Sequence, residues 1–178
     1  GKVTTLDSVN TIADGTAVKT PGTTIFPYIS QNLDDIITVE DEELVVAFLD
    51  MVENHKMVVE NSGLLTVAAL KHLNVKNKKV VSILSGGNMD VITMSSVVQQ
   101  GLVLRDRIFS VSVLLPDKPG ELSRVSDVIA KQSGNVIKLE HNQFVSINRN
   151  AAVELRITME AYGTEHKNQI IQALKESG

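Results

Sequence analysis

The first half of the chain alternates between short apolar runs and segments in which apolar residues recur at helical spacing. The apolar runs cover residues 36–39, 57–59 and 80–84, and each is followed by polar or glycine residues. Short apolar runs bounded by turn residues are typical of buried parallel strands. Their alternation with helical segments predicts an α/β fold in which these strands form a parallel sheet with helices on its faces.

Local signals predict where the helices of this half begin and end. A short helix is predicted near residues 26–31, within a region that otherwise reads as loop. The acidic cluster at 40–43 is expected to open the next helix, because negative charge is favourable at a helix N-terminus. Ser62 is a candidate cap for a helix containing Leu64 and Leu65. A further helix is predicted over 89–100, with Asn88 as its cap and Gly101 just beyond its end.

A different order of elements begins near residue 102. We predict a strand within 108–115, a helix after the turn at 116–120, strands over 135–144 and 152–159, and a helix opening at Thr164. The order βαββα is the ferredoxin-like plan without its last strand. The predicted domains are therefore 1–101 and 102–178, and the absent strand leads us to expect that both ends are cut from a longer protein.

Composition narrows the possible functions. The 178 residues carry a net charge of −4, which provides no general attraction to nucleic acid or to an anionic membrane. The sequence contains no cysteine, so disulfides, thiolate metal sites and a cysteine nucleophile are excluded. The four histidines lack ligand spacing, and no metal site is predicted. No apolar run has the length of a membrane span and no signal peptide is recognisable, so a cytoplasmic location is expected.

The turn that follows residues 80–84 is the strongest candidate for a ligand site. Ser85, Gly86, Gly87 and Asn88 follow the predicted strand directly. Ligands of open α/β sheets bind outside the carboxyl ends of the strands, and glycines allow the backbone to approach a ligand closely. The turn is neither a dinucleotide fingerprint nor a phosphate-binding P-loop. The alternative is an ordinary strand–helix turn with a capping residue.

Three motifs in order resemble the C-terminal part of the catalytic domain of threonine ammonia-lyases, which are fold type II pyridoxal-phosphate enzymes. The motifs are Ala-Asp-Gly-Thr-Ala-Val at 13–18, Glu-Asn-Ser-Gly at 60–63 and Leu-Ser-Gly-Gly-Asn-Met-Asp at 84–90. The second half is similar to the ACT-type regulatory domain of some of these enzymes, with Leu-Pro-Asp-Lys-Pro-Gly-Glu-Leu at 115–122 as its ligand loop. The resemblance implies a partial catalytic domain followed by an ACT-type domain.

The resemblance also implies roles for individual residues. Ser85 would donate a hydrogen bond to the pyridine nitrogen of the cofactor, and Glu60 would lie near its ring. Gly15 would bring backbone close to the ring, and Gly86 and Gly87 would shape the turn beside it. A hydroxyl does not hold the pyridine nitrogen protonated, which weakens the ring as an electron sink and favours β-elimination. For Glu60 the alternative is a solvated residue after an edge strand.

The ligand loop of the second half carries the other set of candidate residues, Asp117, Pro119, Gly120, Glu121 and Leu122. Amides at the N-terminus of the helix that follows would bind the carboxylate of an amino-acid effector. The alternative is a turn that leads into a helix and serves packing alone.

Two elements of the family are not found in this sequence. Neither the Ser-x-Lys-x-Arg-Gly segment with the Schiff-base lysine nor the glycine-rich phosphate loop occurs, and the resemblance implies that both lie upstream. The chain alone is therefore predicted to be inactive. The parent protein would be a homo-oligomer, a dimer or a tetramer, that deaminates threonine or serine with pyridoxal phosphate. The alternative function is a non-catalytic amino-acid-sensing module.

Overall fold

The computed structural model describes residues 2–142 and 153–178. Its internal contacts divide the chain into two compact units, residues 1–101 and residues 102–178. Helices predominate in the first unit, whereas the second contains a three-stranded antiparallel sheet and two helices. The protein is therefore a mixed α/β chain, which confirms the predicted fold class at this level.

The first unit is built around a helix whose start follows from its sequence. Its α-helices are α1 (Phe26–Asn32), α2 (Asp41–Asp50), α3 (Leu65–Ala68) and α4 (Val91–Leu104). At the start of α2, the Glu40 side chain accepts a backbone hydrogen bond and the Glu43 side chain accepts one from the Glu40 amide, which is a capping box. Leu44 and Phe48 are fully buried in the core of this unit. The predicted helix start is confirmed.

The three predicted parallel strands are wrong for the described residues of the first unit. Residues 36–39, 57–59 and 80–84 are not paired with one another, and Val81 is 90% exposed. Strands need a backbone ladder, but two of these segments hydrogen-bond to helical turns instead. The Met57 amide donates to the Met51 carbonyl, and the Thr66 hydroxyl donates to the Ile83 carbonyl.

The predicted caps of two helices are also wrong. Ser62 lies inside the 3₁₀ turn Asn61–Leu64 that precedes α3, where its buried hydroxyl caps nothing. Asp90, rather than Asn88, caps α4, because its carboxylate accepts hydrogen bonds from the amides of Ile92 and Thr93. A hydrogen bond from the Thr93 hydroxyl, followed by these backbone bonds, holds the pKa of Asp90 below its ordinary value.

Gly101 lies inside α4, not beyond its end as predicted. The reason is a packing contact, since a Cβ at Gly101 would lie 2.6 Å from Leu49 Cδ1 and 2.8 Å from Leu49 Cγ. Leu49 is itself buried, so it has little room to withdraw. Glycine here permits the close approach of α4 to α2, and the helix continues to Leu104.

Replacing Gly101 with alanine is expected to destabilise the chain. In an exposed helix the change would stabilise by about 1 kcal/mol, but overpacking against Leu49 costs about 1–3 kcal/mol. We expect the cost of overpacking to exceed the gain in helix propensity, so that the variant has a lower free energy of unfolding in urea than the wild-type 178-residue chain. The control is Gln100→Ala, an exposed neighbour in α4. A Gly101→Ala chain more stable than the wild type would contradict the contact.

The second unit has the element order βαββα that the sequence predicts. Its elements are β1 (Ile108–Leu115), α5 (Glu121–Lys131), β2 (Asn135–Asn142), β3 (Val153–Glu160) and α6 (Thr164–Glu176). The sheet order is β1-β3-β2, and both pairings are antiparallel. The predicted ends at residues 143, 144 and 152 lie outside the described residues. Assignment of this unit to the ferredoxin-like ACT type stays a prediction.

The core of this unit lies between one face of the sheet and the two helices. Alternate residues of β3 are buried, as its period-two pattern predicts, and they pack with Val125 and Ile129 of α5 and with Ile170 of α6. The buried residues of β3 are Val153, Leu155, Ile157 and Met159.

A charged contact joins the loop before β1 to α6. Asp106 accepts hydrogen bonds from Lys167 Nζ at 2.6 Å and from Thr164 Oγ1 at 2.7 Å. The bond from Lys167, followed by that from Thr164, lowers the pKa of the Asp106 carboxyl. A carboxyl whose pKa is lower in the folded state stabilises that state above its unfolded pKa, and this contribution is lost as the pH falls through the folded value.

We expect Asp106→Asn to flatten the acid dependence of stability. Asparagine suits the left-handed conformation of this residue (φ 54°) and keeps an oxygen acceptor but no charge. The variant should be less stable than the wild type at neutral pH, and the difference should shrink below about pH 4, the ordinary aspartate value. Urea unfolding across this range measures it. The exposed Asp127→Asn change in α5 is the control, and an unchanged pH profile in Asp106→Asn would refute the contact.

Candidate functional site

The turn at 85–88 lies against the segment that begins at Glu60. The Glu60 amide donates to the Gly86 carbonyl at 3.3 Å. The Asn88 amide in turn donates to Glu60 Oε2 at 3.1 Å. Glu60 therefore contacts the turn through both its backbone and its carboxylate. This contact joins two of the three motifs that carry the resemblance, although they are separated in sequence.

Gly86 is required at its position for two independent reasons. Its φ of +104° lies in the region that favours glycine, and a Cβ there would lie 2.5 Å from Glu60 Oε1 and 2.6 Å from Glu60 Cδ. Any side chain would strain the backbone and displace the Glu60 carboxylate. The glycine thus allows the carboxylate to lie directly against the turn.

Gly15 brings the third motif to the same place. It lies in the 3₁₀ turn Asp14–Thr16, and its amide donates to Asp14 Oδ1 at 2.8 Å. A Cβ at Gly15 would lie 2.9 Å from Ser62 Oγ and 3.7 Å from Glu60 Oε1. A side chain at Gly15 would therefore crowd the buried Ser62 hydroxyl. The structure thus brings Gly15, Glu60 and Gly86 together.

Ser85 and Gly87 are both exposed in the turn. Ser85 passes so close to Gly63 that a Cβ at Gly63 would lie 2.9 Å from the Ser85 carbonyl oxygen. A Cβ at Gly87 would make only an ordinary contact, 3.5 Å from the Val58 carbonyl oxygen. Glycine is therefore required at Gly63 and at Gly86 but not, on packing grounds, at Gly87.

A cleft of about 330 Å³ lies beside these residues within the first unit. The carboxylate-bearing residues of its lining are Asp14, Glu60 and Asp90, and no lysine or arginine lines it. Asn61 also lines the cleft. Its Nδ2 donates to the Ile12 carbonyl at 3.1 Å, but its buried Oδ1 has no partner within the described chain. Sequence reasoning identified Glu60 and missed Asn61, whose burial no local pattern could reveal.

The predicted effector residues of the second unit line a separate cleft of about 290 Å³, together with His141 and Leu155. Gly120 has a φ of +96° and directly precedes α5, as a turn into a helix requires. The Glu121 carboxylate accepts a hydrogen bond from Arg124 in the same helix at 2.9 Å, so it is already paired. The structure brings Asp117, Pro119, Gly120, Glu121 and Leu122 together, and effector binding by them stays a prediction.

The sequence of the first unit matches a known protein family along almost all of the motif-bearing region. Residues 1–86 match the profile of pyridoxal-phosphate dependent enzymes, and the match includes Gly15, Glu60 and Ser85. Residues 1–86 are therefore similar to the enzymes of this family. The predicted resemblance and the implied cofactor class are thereby confirmed.

Relatives of this family are similar to the chain over its whole length. The L-threonine ammonia-lyase of Geobacter sulfurreducens is 37% identical over 180 residues, which cover 100% of this chain and 45% of that protein. The L-threonine ammonia-lyase of Thermotoga maritima is 31% identical over 179 residues, with the same coverage. The chain therefore spans about half the length of the curated relatives it matches.

A solved structure supports the fold assignment. The processed form of threonine deaminase isoform 2 from Solanum lycopersicum is similar with a TM-score of 0.50 and 28% identity. The match covers 55% of this chain and 29% of that chain. The predicted fold class of the fold type II enzymes is confirmed at the level of a mixed α/β chain, although residues 36–39, 57–59 and 80–84 form no parallel sheet among the described residues.

The residues of the site fit one part of the cofactor. Ser85 carries a hydroxyl on an exposed residue, Glu60 carries a carboxylate, and the backbone at Gly15 and Gly86 lies close to Glu60, which are groups that a pyridine ring and its polar substituents can contact. Of these four residues, Glu60 lines the cleft and the others lie beside it. The cleft lining lacks the cation and the cluster of free amides that a phosphate group requires. The described residues therefore fit the ring edge and not the phosphate.

None of the helices formed by residues 2–142 and 153–178 combines the length and the hydropathy of a membrane span.

Proposed function

We propose that the protein carrying this chain is a pyridoxal-phosphate-dependent threonine ammonia-lyase, which converts threonine to 2-oxobutanoate and ammonia. One observation supports it above all. The three motifs at Gly15, Glu60 and Gly86 meet in space, in a chain that is similar along its full length to L-threonine ammonia-lyases. Serine, whose β-hydroxyl is equivalent, is the second substrate of the proposal and would yield pyruvate.

The proposed roles of the residues follow from their chemistry. When bound, pyridoxal phosphate supplies the electron sink that permits loss of the Cα proton and of the β-hydroxyl. Ser85 donates a hydrogen bond to the pyridine nitrogen without protonating it. Glu60 holds its carboxylate at the ring edge. One oxygen of this carboxylate, Oε2, already accepts a hydrogen bond from the Asn88 amide.

The glycines have a steric role in the proposal. Gly86 keeps the carboxylate of Glu60 against the turn, and Gly15 keeps space open beside Ser62 and Glu60. Gly87 extends the turn toward Asn88. None of these residues moves a proton in the proposal, in which the Schiff-base lysine that the resemblance implies would hold the cofactor and act as the base.

The proposal has further parts that concern regulation and assembly. The protein acts in the cytoplasm as a homo-oligomer, and the cleft at 117–122 binds an amino-acid effector through amides at the start of α5. A non-catalytic amino-acid sensor is not favoured as the function of the whole, because residues 1–86 match the enzyme family.

The test uses the full-length natural protein that contains this sequence, purified with pyridoxal phosphate. Formation of 2-oxobutanoate from threonine and of pyruvate from serine is measured side by side. The proposal expects product from threonine, with the 178-residue chain alone giving none. Failure of the full-length protein to release a 2-oxo acid from either substrate would refute it.

A further inference from the structure

Ser85 lies on a segment that is held on both sides by the turns at 60–66. After Ser85, the contacts are those of Glu60 with Gly86 and Asn88. Before Ser85, the Thr66 hydroxyl donates to the Ile83 carbonyl at 3.1 Å. The segment is not part of a sheet in the described structure, so these contacts take the place of a strand ladder in holding it.

Gly63 fixes the distance of Ser85 from the 60–66 turns. Its φ is not in the left-handed region, so its backbone conformation does not require glycine. A Cβ at Gly63 would nevertheless lie 2.9 Å from the Ser85 carbonyl oxygen and 2.8 Å from Val59 Cγ1. Val59 is buried, so the free side of this contact is the Ser85 backbone. Glycine at this position is needed because Ser85 passes close to it.

The Thr66 hydroxyl donates its hydrogen bond to an acceptor outside its own helix. Threonine hydroxyls in helices commonly bond to a carbonyl of their own preceding turn. The hydroxyl of Thr66, in α3, bonds instead to Ile83 in another segment. The Ile83 side chain is largely exposed, so it contributes little packing at this end of the segment. The hydroxyl of Thr66 is therefore a contact that restrains the chain two residues before Ser85.

We propose that Thr66 and Gly63 are positioning residues that fix the orientation of the Ser85 hydroxyl toward the pyridine nitrogen. Neither contacts the cofactor. They act through Ser85. Gly63 sets the distance between the Ser85 backbone and the 60–66 turns, and Thr66 prevents rotation of the segment that precedes Ser85. This inference rests on the proposed function, because it specifies how the ring contact of that site is held.

The test compares Thr66→Val, which keeps the shape and removes the hydroxyl, with Thr66→Ser, which keeps the hydroxyl. Both are made in the full-length protein. Thr66→Val should lower kcat for threonine by about fivefold, the factor that one net hydrogen bond represents, with KM unchanged. The absorption maximum of the bound cofactor should shift in the same direction as in Ser85→Ala. Thr66→Ser should restore both values, which a loss of packing alone would not.

A double-mutant cycle decides whether Thr66 acts through Ser85. In the Ser85→Ala background, Thr66→Val should have no further effect, whereas independent roles would give multiplied losses. Gly63→Ala should shift the absorption of the bound cofactor likewise. If the wild type is active but Thr66→Val leaves kcat and cofactor absorption unchanged, this inference alone is overturned. The same holds if the losses in kcat of Ser85→Ala and Thr66→Val multiply in the double mutant. A wild type that forms no 2-oxo acid overturns the proposed function instead.

Discussion

Gly86→Ala is expected to abolish most of the activity of the full-length protein, with a loss on the order of a hundredfold, the effect of displacing a site by about 1 Å. The Cβ would lie 2.5 Å from Glu60 Oε1, so the carboxylate must leave the turn. The left-handed backbone (φ +104°) adds strain of about 1–3 kcal/mol in a non-glycine residue. The measurement is the rate of 2-oxobutanoate formation from threonine, together with urea unfolding of the same protein.

The matched control for this change is Gly22→Ala. A Cβ at Gly22 would meet no atom within 4 Å, and its φ is not in the left-handed region. The control should retain both activity and stability. Equal behaviour of the two variants would mean that the contact between Glu60 and the turn does not matter, and the site as described would be wrong.

Two Ser85 variants are expected to distinguish the hydrogen bond that the hydroxyl donates from its lack of charge. Ser85→Ala removes the hydrogen bond and should lower the rate with threonine by about tenfold, within the range for bonds to charged or reacting groups. Ser85→Asp should lower it further, because a carboxylate holds a proton on the pyridine nitrogen and strengthens the electron sink in favour of competing reactions. Both variants should still fold, since Ser85 is exposed.

The control for Ser85 is Ser95→Ala, an exposed serine of α4 outside the 85–88 turn. It should behave as the wild type in rate and in cofactor absorption. The assignment would be contradicted if Ser85→Ala matched this control in both measurements. A lower rate with unchanged cofactor absorption would point away from the pyridine nitrogen and toward a general loss of structure.

The features that sequence predicted well are those that depend on neighbouring residues. The start of α2 at the acidic cluster 40–43 and the buried alternate residues of β3 follow from helix-end chemistry and local periodicity. The strands predicted at 36–39, 57–59 and 80–84 are absent from the described residues, because local sequence does not determine strand pairing. An apolar run forms a strand only beside a partner, and its pairing is determined by residues far away in sequence.

Glycines illustrate the same limit. Gly101 was predicted to end a helix, yet its contact with Leu49, on another helix, explains it. Asn88 and Asp90 are both suitable caps, and only the observed start of α4 distinguishes them. For the site, the resemblance indicated Gly15, Glu60 and Ser85. Thr66 could not be identified from the sequence, because its importance lies in a hydrogen bond to Ile83.

We propose that this chain forms the ring-binding part of a pyridoxal-phosphate-dependent threonine ammonia-lyase. The most direct test is the rate of 2-oxobutanoate formation from threonine by the full-length protein, before and after the cofactor is removed by dialysis and added back. We expect this rate to be lost on removal and restored by pyridoxal phosphate. A full-length protein that forms no 2-oxobutanoate with the cofactor present, or forms it equally well without the cofactor, would refute this role of the chain.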